Sequence, residues 1–291
     1  MNHPAILNAA SVHARRGESS IGALLLESGK ITPESAERVL RMQKELGIRF
    51  GEAAVRLGLI TEADIQQVLA RQFDYPYLQQ GEATYSKQLV AAYEPFSPQV
   101  ETLRAIRSQL MLRWFARGRK SLAIVGVNAG DGVSLFAANL AVVFSQLGEQ
   151  TLLVDANLRA PSQQGLFDLK AAQGLSDVLA GRAELDAIAR IASFVDLSVL
   201  PAGTLPPNPQ ELLSRESFGA LNTQLESRYD VVLYDVPAVA TASDVYAVAA
   251  RAGGVFLLAR KDKTAVAQIH AMQDQLRQCG AEIVGAVMVD F

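Results

Sequence analysis

The sequence predicts an α/β protein: a parallel sheet covered by helices on both faces, preceded by a small all-helical repeat domain. Three observations carry this. From Lys120 onward, short β-rich runs alternate with amphipathic helical segments, the pattern of strands joined by crossover helices. A glycine loop, "NAGDGVS", stands between the first of those runs and a helical segment, where backbone N–H groups and a helix start together attract anions. Near the N-terminus the chain repeats itself at an offset of 29 residues, the mark of duplicated supersecondary units.

With 291 residues, the chain is long enough for one large core and one small one. A net charge of -3 and a pI near 5.7 give no broad positive field, so no nucleic-acid partner is expected. The short basic cluster "RWFARGRK", Arg113 to Lys120, reads as the solvated end of a helix. One cysteine, Cys279, excludes an internal disulfide, and three scattered histidines have no metal-ligand spacing. The N-terminus lacks the charged start and apolar stretch of a signal peptide, and no apolar window approaches the ~18 residues of a membrane span. A cytoplasmic location is therefore expected, with membrane contact only through a partner.

Residues 1–17 read as a flexible tail, 18–83 as the repeat domain, 84–98 as a linker and 99–291 as the sheet domain. In the repeat, Ser20 to Gln43 aligns without a gap to Arg49 to Gln72. Each copy reads as helix, glycine turn, helix, with Gly29 and Gly58 as C-caps and Thr32 and Thr61 as N-caps. Ser35 and Asp64 occupy the reciprocal capping position, and Pro33 suits a first helical turn. Ala36, Val39 and Leu40, and again Ile65, Val68 and Leu69, predict one buried stripe per second helix. Residues 73 to 98 lose periodicity, hence the linker.

Beyond it, "VETLRAIRSQLMLRWFA" predicts a helix, followed by the strands "SLAIVGV", "TLLVDA", "LSVLPA", "VVLYDV", "GVFLLAR" and "EIVGAVMV". Ligands of such sheets bind beyond the strands' carboxyl ends. The glycine loop lies at that end of the first strand, making the domain P-loop NTPase-like. Asp155 and Asp235 end two further strands; with the Ser134 hydroxyl they make a plausible magnesium site.

The segments "VDANLRAP" and "GTLPPNPQELL" give the specific part of a resemblance to the cytoplasmic domain of bacterial tyrosine kinases of polysaccharide export, relatives of the MinD/ParA group. The resemblance covers residues 99 to 291. It implies a nucleotide-binding loop of Gly130, Asp131, Gly132, Val133 and Ser134 for ATP or ADP with Mg2+. It also implies a Walker A′ motif from Leu152 to Arg159 and a Walker B motif from Val231 to Asp235. Asp155 and Asp235 would be catalytic in an active member and, with Ser134, would bind the metal. Glu101, Arg104 and Arg107 resemble the family's E-x-x-R-x-x-R helix and would be oligomer contacts. The implied partners are the cytoplasmic segment of a membrane chain-length determinant and further copies of the chain, placing it peripherally at the inner membrane.

Four departures all weaken the same chemistry. Val133 replaces the lysine of the phosphate loop, Asn157 replaces the second Walker A′ aspartate, Val287 to Val289 reads "VMV" where the family has "VLN", and no tyrosine-rich tail precedes Phe291. A charge-assisted hydrogen bond of the kind lost contributes about 1.5–3 kcal/mol, and transition-state stabilisation suffers more. The expectation is a pseudokinase that assembles or regulates exopolysaccharide export. Two alternatives stand beside it: a live kinase that draws its positive charge from Lys261, Lys263 or a neighbouring subunit, and a MinD/ParA-like positioning ATPase for a secretion machine.

The N-terminal repeat is similar to the MshEN-type domain of type II secretion and pilus ATPases. On that resemblance Ile21, Gly22, Gly29, Gln43, Arg49, Gly51, Gly58 and Gln72 are candidates for binding cyclic di-GMP. Ser20 stands where the first copy needs an arginine, which removes a guanidinium able to pair with phosphate or stack on guanine. Two readings remain, a helical docking module and a cyclic di-GMP sensor.

Overall fold

A computed structural model describes residues 21–72, 77–78 and 83–290. The expected N-terminal tail, Ser20 and Phe291 lie outside the described residues. The chain divides between Tyr75 and Pro76 into two compact units.

The first unit holds four helices, α1 (Ile21–Glu27), α2 (Pro33–Leu46), α3 (Phe50–Arg56) and α4 (Glu62–Gln72). Its punctuation is that of the repeat. Gly29 and Gly58 take left-handed φ values of 67° and 66°, a region glycine enters without a Cβ clash. Thr32 Oγ1 accepts from Ser35 N at 3.2 Å. In the second copy the cap is reciprocal: Thr61 N donates to Asp64 Oδ2 at 2.8 Å, and Asp64 N donates to Thr61 Oγ1 at 3.2 Å. Leu25, Ile31, Ala36, Val39, Ala53, Ala54, Ile60 and Val68 form the core. The predicted stripe on α2 is narrower than expected, because Leu40 is 55% exposed. Leu40 lies about 100° round the helix from Val39, beyond the face that so few helices can cover.

The second unit is built on a seven-stranded sheet in the order β3-β4-β2-β5-β1-β6-β7. The strands are β1 (Ser121–Gly126), β2 (Thr151–Asp155), β3 (Ala189–Arg190), β4 (Leu197–Leu200), β5 (Val231–Asp235), β6 (Gly254–Arg260) and β7 (Glu282–Val289). All six predicted strands form and pair in parallel; β3, which the sequence reading missed, is a two-residue antiparallel edge on β4. β1, β2, β4 and β5 are buried throughout, which explains their unbroken apolar runs. The helices, numbered on from the first unit, are α5 (Val90–Tyr93), α6 (Pro98–Arg113), α7 (Val133–Ser145), α8 (Gln163–Leu166), α9 (Leu175–Leu179), α10 (Pro209–Ser214), α11 (Glu216–Arg228), α12 (Asp244–Ala252) and α13 (Val266–Gln278). Separate cores line the two faces of the sheet, one under α6 and α7, the other under α11 and α12.

Two expectations need correction. Residues 84–98, read as a linker, are part of the second unit. Leu89, Ala91 and Ala92 are fully buried, and Asn139 of α7 laces the segment down: its Oδ1 accepts from Ala91 N at 2.9 Å and its Nδ2 donates to Gln88 O at 3.1 Å. Ser86 N donates to Leu166 O at 2.9 Å, and the Tyr85 ring meets Phe167 edge-on. The basic cluster is likewise no simple solvated helix end. Trp114 is 1% exposed, its Nε1 donates to Ser121 O at 2.9 Å, and its ring fills the space a side chain at Gly254 would need. The Arg119 guanidinium lies over that ring at 5.4 Å.

Candidate nucleotide site

β1 delivers the chain at Gly126, and α7 begins at Val133. The loop between them turns on Gly130 and Gly132, with φ of 86° and 83°, conformations that an L side chain would strain. Asp131, 2% exposed, folds back so that its Oδ2 accepts from Asn128 N at 2.8 Å. A carboxylate of the loop thus engages one of the loop's own N–H donors.

Val133 is 8% exposed and belongs to the core cluster beneath α7. Its Cγ2 would lie only 2.5 Å from a Cβ built on Gly126, so the side chain presses onto the end of β1. Where the resemblance calls for a lysine, the chain therefore has a hydrophobic peg.

Asp155 and Asp235 end adjacent parallel strands and are register partners, which brings two fully buried carboxyl groups side by side. Ser134 Oγ donates to Asp235 Oδ1 at 3.0 Å. Asp155 Oδ2 accepts from Ser162 N and Gln163 N, both at 2.9 Å, and its Oδ1 from Asn157 N at 3.2 Å. Burial pushes the Asp155 carboxyl above its ordinary range against those N–H donors. Burial, reinforced by the neighbouring Asp155 charge, does the same to Asp235 against the bonds from Gln163 and Ser134. Among the described residues, no group of three or more His, Cys, Asp or Glu side chains is arranged to hold a metal ion.

The structure thus brings Gly130, Asp131, Gly132, Val133, Ser134, Asp155 and Asp235 to one end of the sheet. The five loop residues line a cleft of about 360 Å³ together with Asn157, Arg159 and Thr241, whereas Asp155 and Asp235 are not among its lining residues. Asn157 works locally, its Oδ1 accepting from Ala160 N at 3.1 Å.

Asp244, Arg260 and Gln163 were not among the predicted site residues, and Arg159 was named only as the end of the Walker A′ motif. Arg159 Nε and Nη2 grip buried Asp244 at 2.7 and 3.0 Å. Arg260 Nη1 reaches Gly130 O at 3.4 Å, so the cation touching the loop is this arginine and not its neighbours; Lys261 pairs with Asp290 at 2.7 Å. Gln163, fully buried, donates from Nε2 to Asp235 Oδ2 at 2.7 Å and to Ser134 O at 3.0 Å. Asp244 carried a weak signal, an acidic residue opening a helix. Gln163 carried none, standing in the polar run "PSQQG".

The other predicted sites lie elsewhere. Glu101 and Arg104 pair with each other, while Arg107 Nη1 donates to Val143 O of its own chain at 2.6 Å. In the first unit the Phe50 ring lies on Gly22, and Ile21 and Ile65 lie on Gly51. Since Phe50 and Gly51 sit 29 residues after Ile21 and Gly22, each repeat presses the residue before its glycine onto the glycine of the other. Gly29 and Gly58 end helices as caps, Arg49 is the exposed residue preceding α3, and Gln43 O accepts from Gly47 N. The side chain of Gln72 lies outside the described residues.

Comparison with known proteins agrees with this architecture. The family model of cellulose biosynthesis protein BcsQ matches residues 119–279. Tyrosine-protein kinase YwqD of Bacillus subtilis is 34% identical over 202 residues, covering 69% of this chain and 85% of that protein. Tyrosine-protein kinase wzc of Salmonella typhimurium is 31% identical over 201 residues, but this chain spans only 28% of its length. The solved kinase domain of Escherichia coli tyrosine kinase ETK superposes with a TM-score of 0.68 at 29% identity, covering 75% of this chain and 86% of that one. A mostly parallel sheet with a phosphate loop at the end of β1 and a carboxyl group at each of two adjacent strand tips, and these likenesses together make the chain a member of the BcsQ P-loop family, homologous to the bacterial tyrosine kinases.

Proposed function

We propose that this chain is a kinase-like subunit of bacterial exopolysaccharide export that is silent in phosphoryl transfer and acts by assembly. The observation that supports this most directly is Val133, buried in the core beneath the phosphate loop. Phosphoryl transfer depends on positioning and on positive charge at the transferring group. The Val133 peg supplies no such charge, and the neutral Asn157 supplies no carboxylate to help position a metal or a nucleophile. The phosphate loop and cleft remain, so ATP or ADP binds weakly, and the partner is the cytoplasmic segment of a membrane chain-length determinant. The helical repeat in front is then a docking arm, a reading supported by the packing that Gly22 and Gly51 perform for each other's repeat.

The test is incubation of the full chain with labelled ATP and magnesium, alone and with the determinant's cytoplasmic segment. Stable association without label transfer is expected. Turnover that Asp155→Ala abolishes would sink the proposal in favour of a live kinase. Calorimetry of the full chain with cyclic di-GMP separates the two readings of the repeat: no heat at high micromolar ligand fits a docking arm, and a saturable heat lost in Arg49→Ala would make it a sensor.

A further inference from the structure

Magnesium is the cation that the fold family leads one to expect beside Ser134 and Asp235, so the fit of the donors present decides whether this chain retains it. Such an ion is hydrated and meets a P-loop site through one hydroxyl, one or two carboxylates and the ligand's phosphates. Its waters then donate to whichever carboxylate oxygens do not touch it. Here the donors to those oxygens come from the protein itself. Asp155 has three backbone N–H groups on its two oxygens. Asp235 has Ser134 Oγ on one oxygen and Gln163 Nε2 on the other.

Gln163 is the unusual member. Its backbone N–H goes to Asp155 and its side-chain amide to Asp235, so one residue spans both carboxylates. The second N–H of the same amide goes to Ser134 O, in the first turn of the helix that opens the phosphate site. Carboxylate, hydroxyl-bearing turn and neighbouring carboxylate are therefore tied through a single uncharged side chain. Aiming both N–H groups this way leaves Oε1 buried with no partner among the described residues. An unsatisfied buried acceptor is destabilising, so the orientation is held by what the N–H groups gain.

We infer that the side-chain amide of Gln163 takes the place of the hydrated divalent cation, so that this chain's phosphate-loop site holds its two carboxylates without a metal. Val133 agrees with this, since the lysine and the metal share the task of neutralising phosphate charge and neither is provided for. The inference rests on the reading of the cleft as a nucleotide site, but not on the absence of turnover. A phosphate-bearing ligand entering the cleft meets the loop's N–H groups, with Arg159 as the cation of the lining, and enters as the free anion.

The experiment follows Mn2+ as the probe, by its paramagnetic resonance signal, in the presence of ADP and the full chain. Wild type is expected to leave the free Mn2+ signal at the level set by ADP alone. Gln163→Leu removes the amide at similar volume and uncovers Asp235 Oδ2; Mn2+ affinity is expected to rise by about tenfold, the effect typical of partners that tune a metal site. Adding Asp235→Asn should abolish that gain. Stoichiometric Mn2+ binding by wild type overturns the inference, as does a folded Gln163→Leu protein with no gain. If Gln163→Leu does not fold, Gln163→Met carries the same expectation, and the wild-type measurement decides on its own. Mn2+ binding without label transfer would defeat this inference and leave the assembly proposal standing; label transfer that persists in chelator would do the reverse.

Discussion

At Val133 the chain places an apolar residue where charge is required, and the side chain has found a use there. It fills space against Gly126 and contributes to the core. Val133→Lys therefore exchanges a buried contact for a chain that must turn out into the cleft, at a cost of about 1–3 kcal/mol by analogy with other core losses. Urea denaturation should register that loss, and ATP turnover should stay at background because Asn157 and Gln163 still occupy the site. Full turnover in this single variant would show that the lysine alone was missing. The carboxyl pair makes a second residue-scale prediction. Burial raises the folded-state pKa of both Asp155 and Asp235, so the folded chain binds more protons than the unfolded one above the ordinary carboxylate range. Stability then falls as pH rises from that range through the raised values, by up to about 1.4 kcal/mol per pH for each carboxyl that stays protonated only in the fold. Asp235→Asn removes the repelling charge and should flatten the slope, becoming more stable relative to wild type as pH is raised from 5 to 8. Parallel melting curves for the two proteins across that range would contradict the assignment.

Among the elements, the segment from Thr84 to Ser97 most changes the description of the chain. Asn139 holds it with two hydrogen bonds, to Ala91 N and Gln88 O, while a third, to Leu135 O of its own helix, orients the amide. Asn139→Ala leaves buried Ala91 N without that partner and takes one of two donors from Gln88 O, which keeps Val90 N. At about 1–3 kcal/mol for an unsatisfied buried group, a loss of that size in chemical denaturation is expected, against less than about 0.5 kcal/mol for an exposed control such as Gln224→Ala. The segment was illegible in the sequence for a physical reason: its buried part, "LVAAY", is too short to show a helical period and is flanked by polar residues and prolines. The strands were legible because β1, β2, β4 and β5 are buried on both faces and cannot tolerate polar interruptions. β3 has two residues and no period to read. The phosphate loop announced itself through Gly130, Gly132 and the missing lysine, whereas Gln163 acts through tertiary placement alone: nothing in "PSQQG" says that its amide will reach a strand tip.

Over the whole molecule, the two units carry opposite electrostatic signatures, which gives a way to watch them separately. In the first unit Asp64 caps α4 and pairs with Lys30 at 2.7 Å. The Lys30 bond, with the Thr61 N–H, lowers its pKa from 3.8 to about 2. A lowered carboxyl contributes stability that is complete above the unfolded value and is lost as pH falls through the folded one. The first unit should therefore be indifferent to pH between 8 and 5 and weaken between 5 and 2. The site pair of the second unit works in the other direction and in another window, favouring the fold as pH falls from 8 to 5. With eight buried apolar residues in its core among the described residues, the first unit should also melt at the lower temperature, because a small core offsets less conformational entropy. Scanning calorimetry of the full chain should then show a lower transition that stays in place while the upper one rises as pH is brought from 8 to 5. The lower transition should drop on further acidification, and less so in Asp64→Asn. A single transition that keeps its shape across the series would mean that the two cores melt as one cooperative body and that the division at Tyr75 is only geometric.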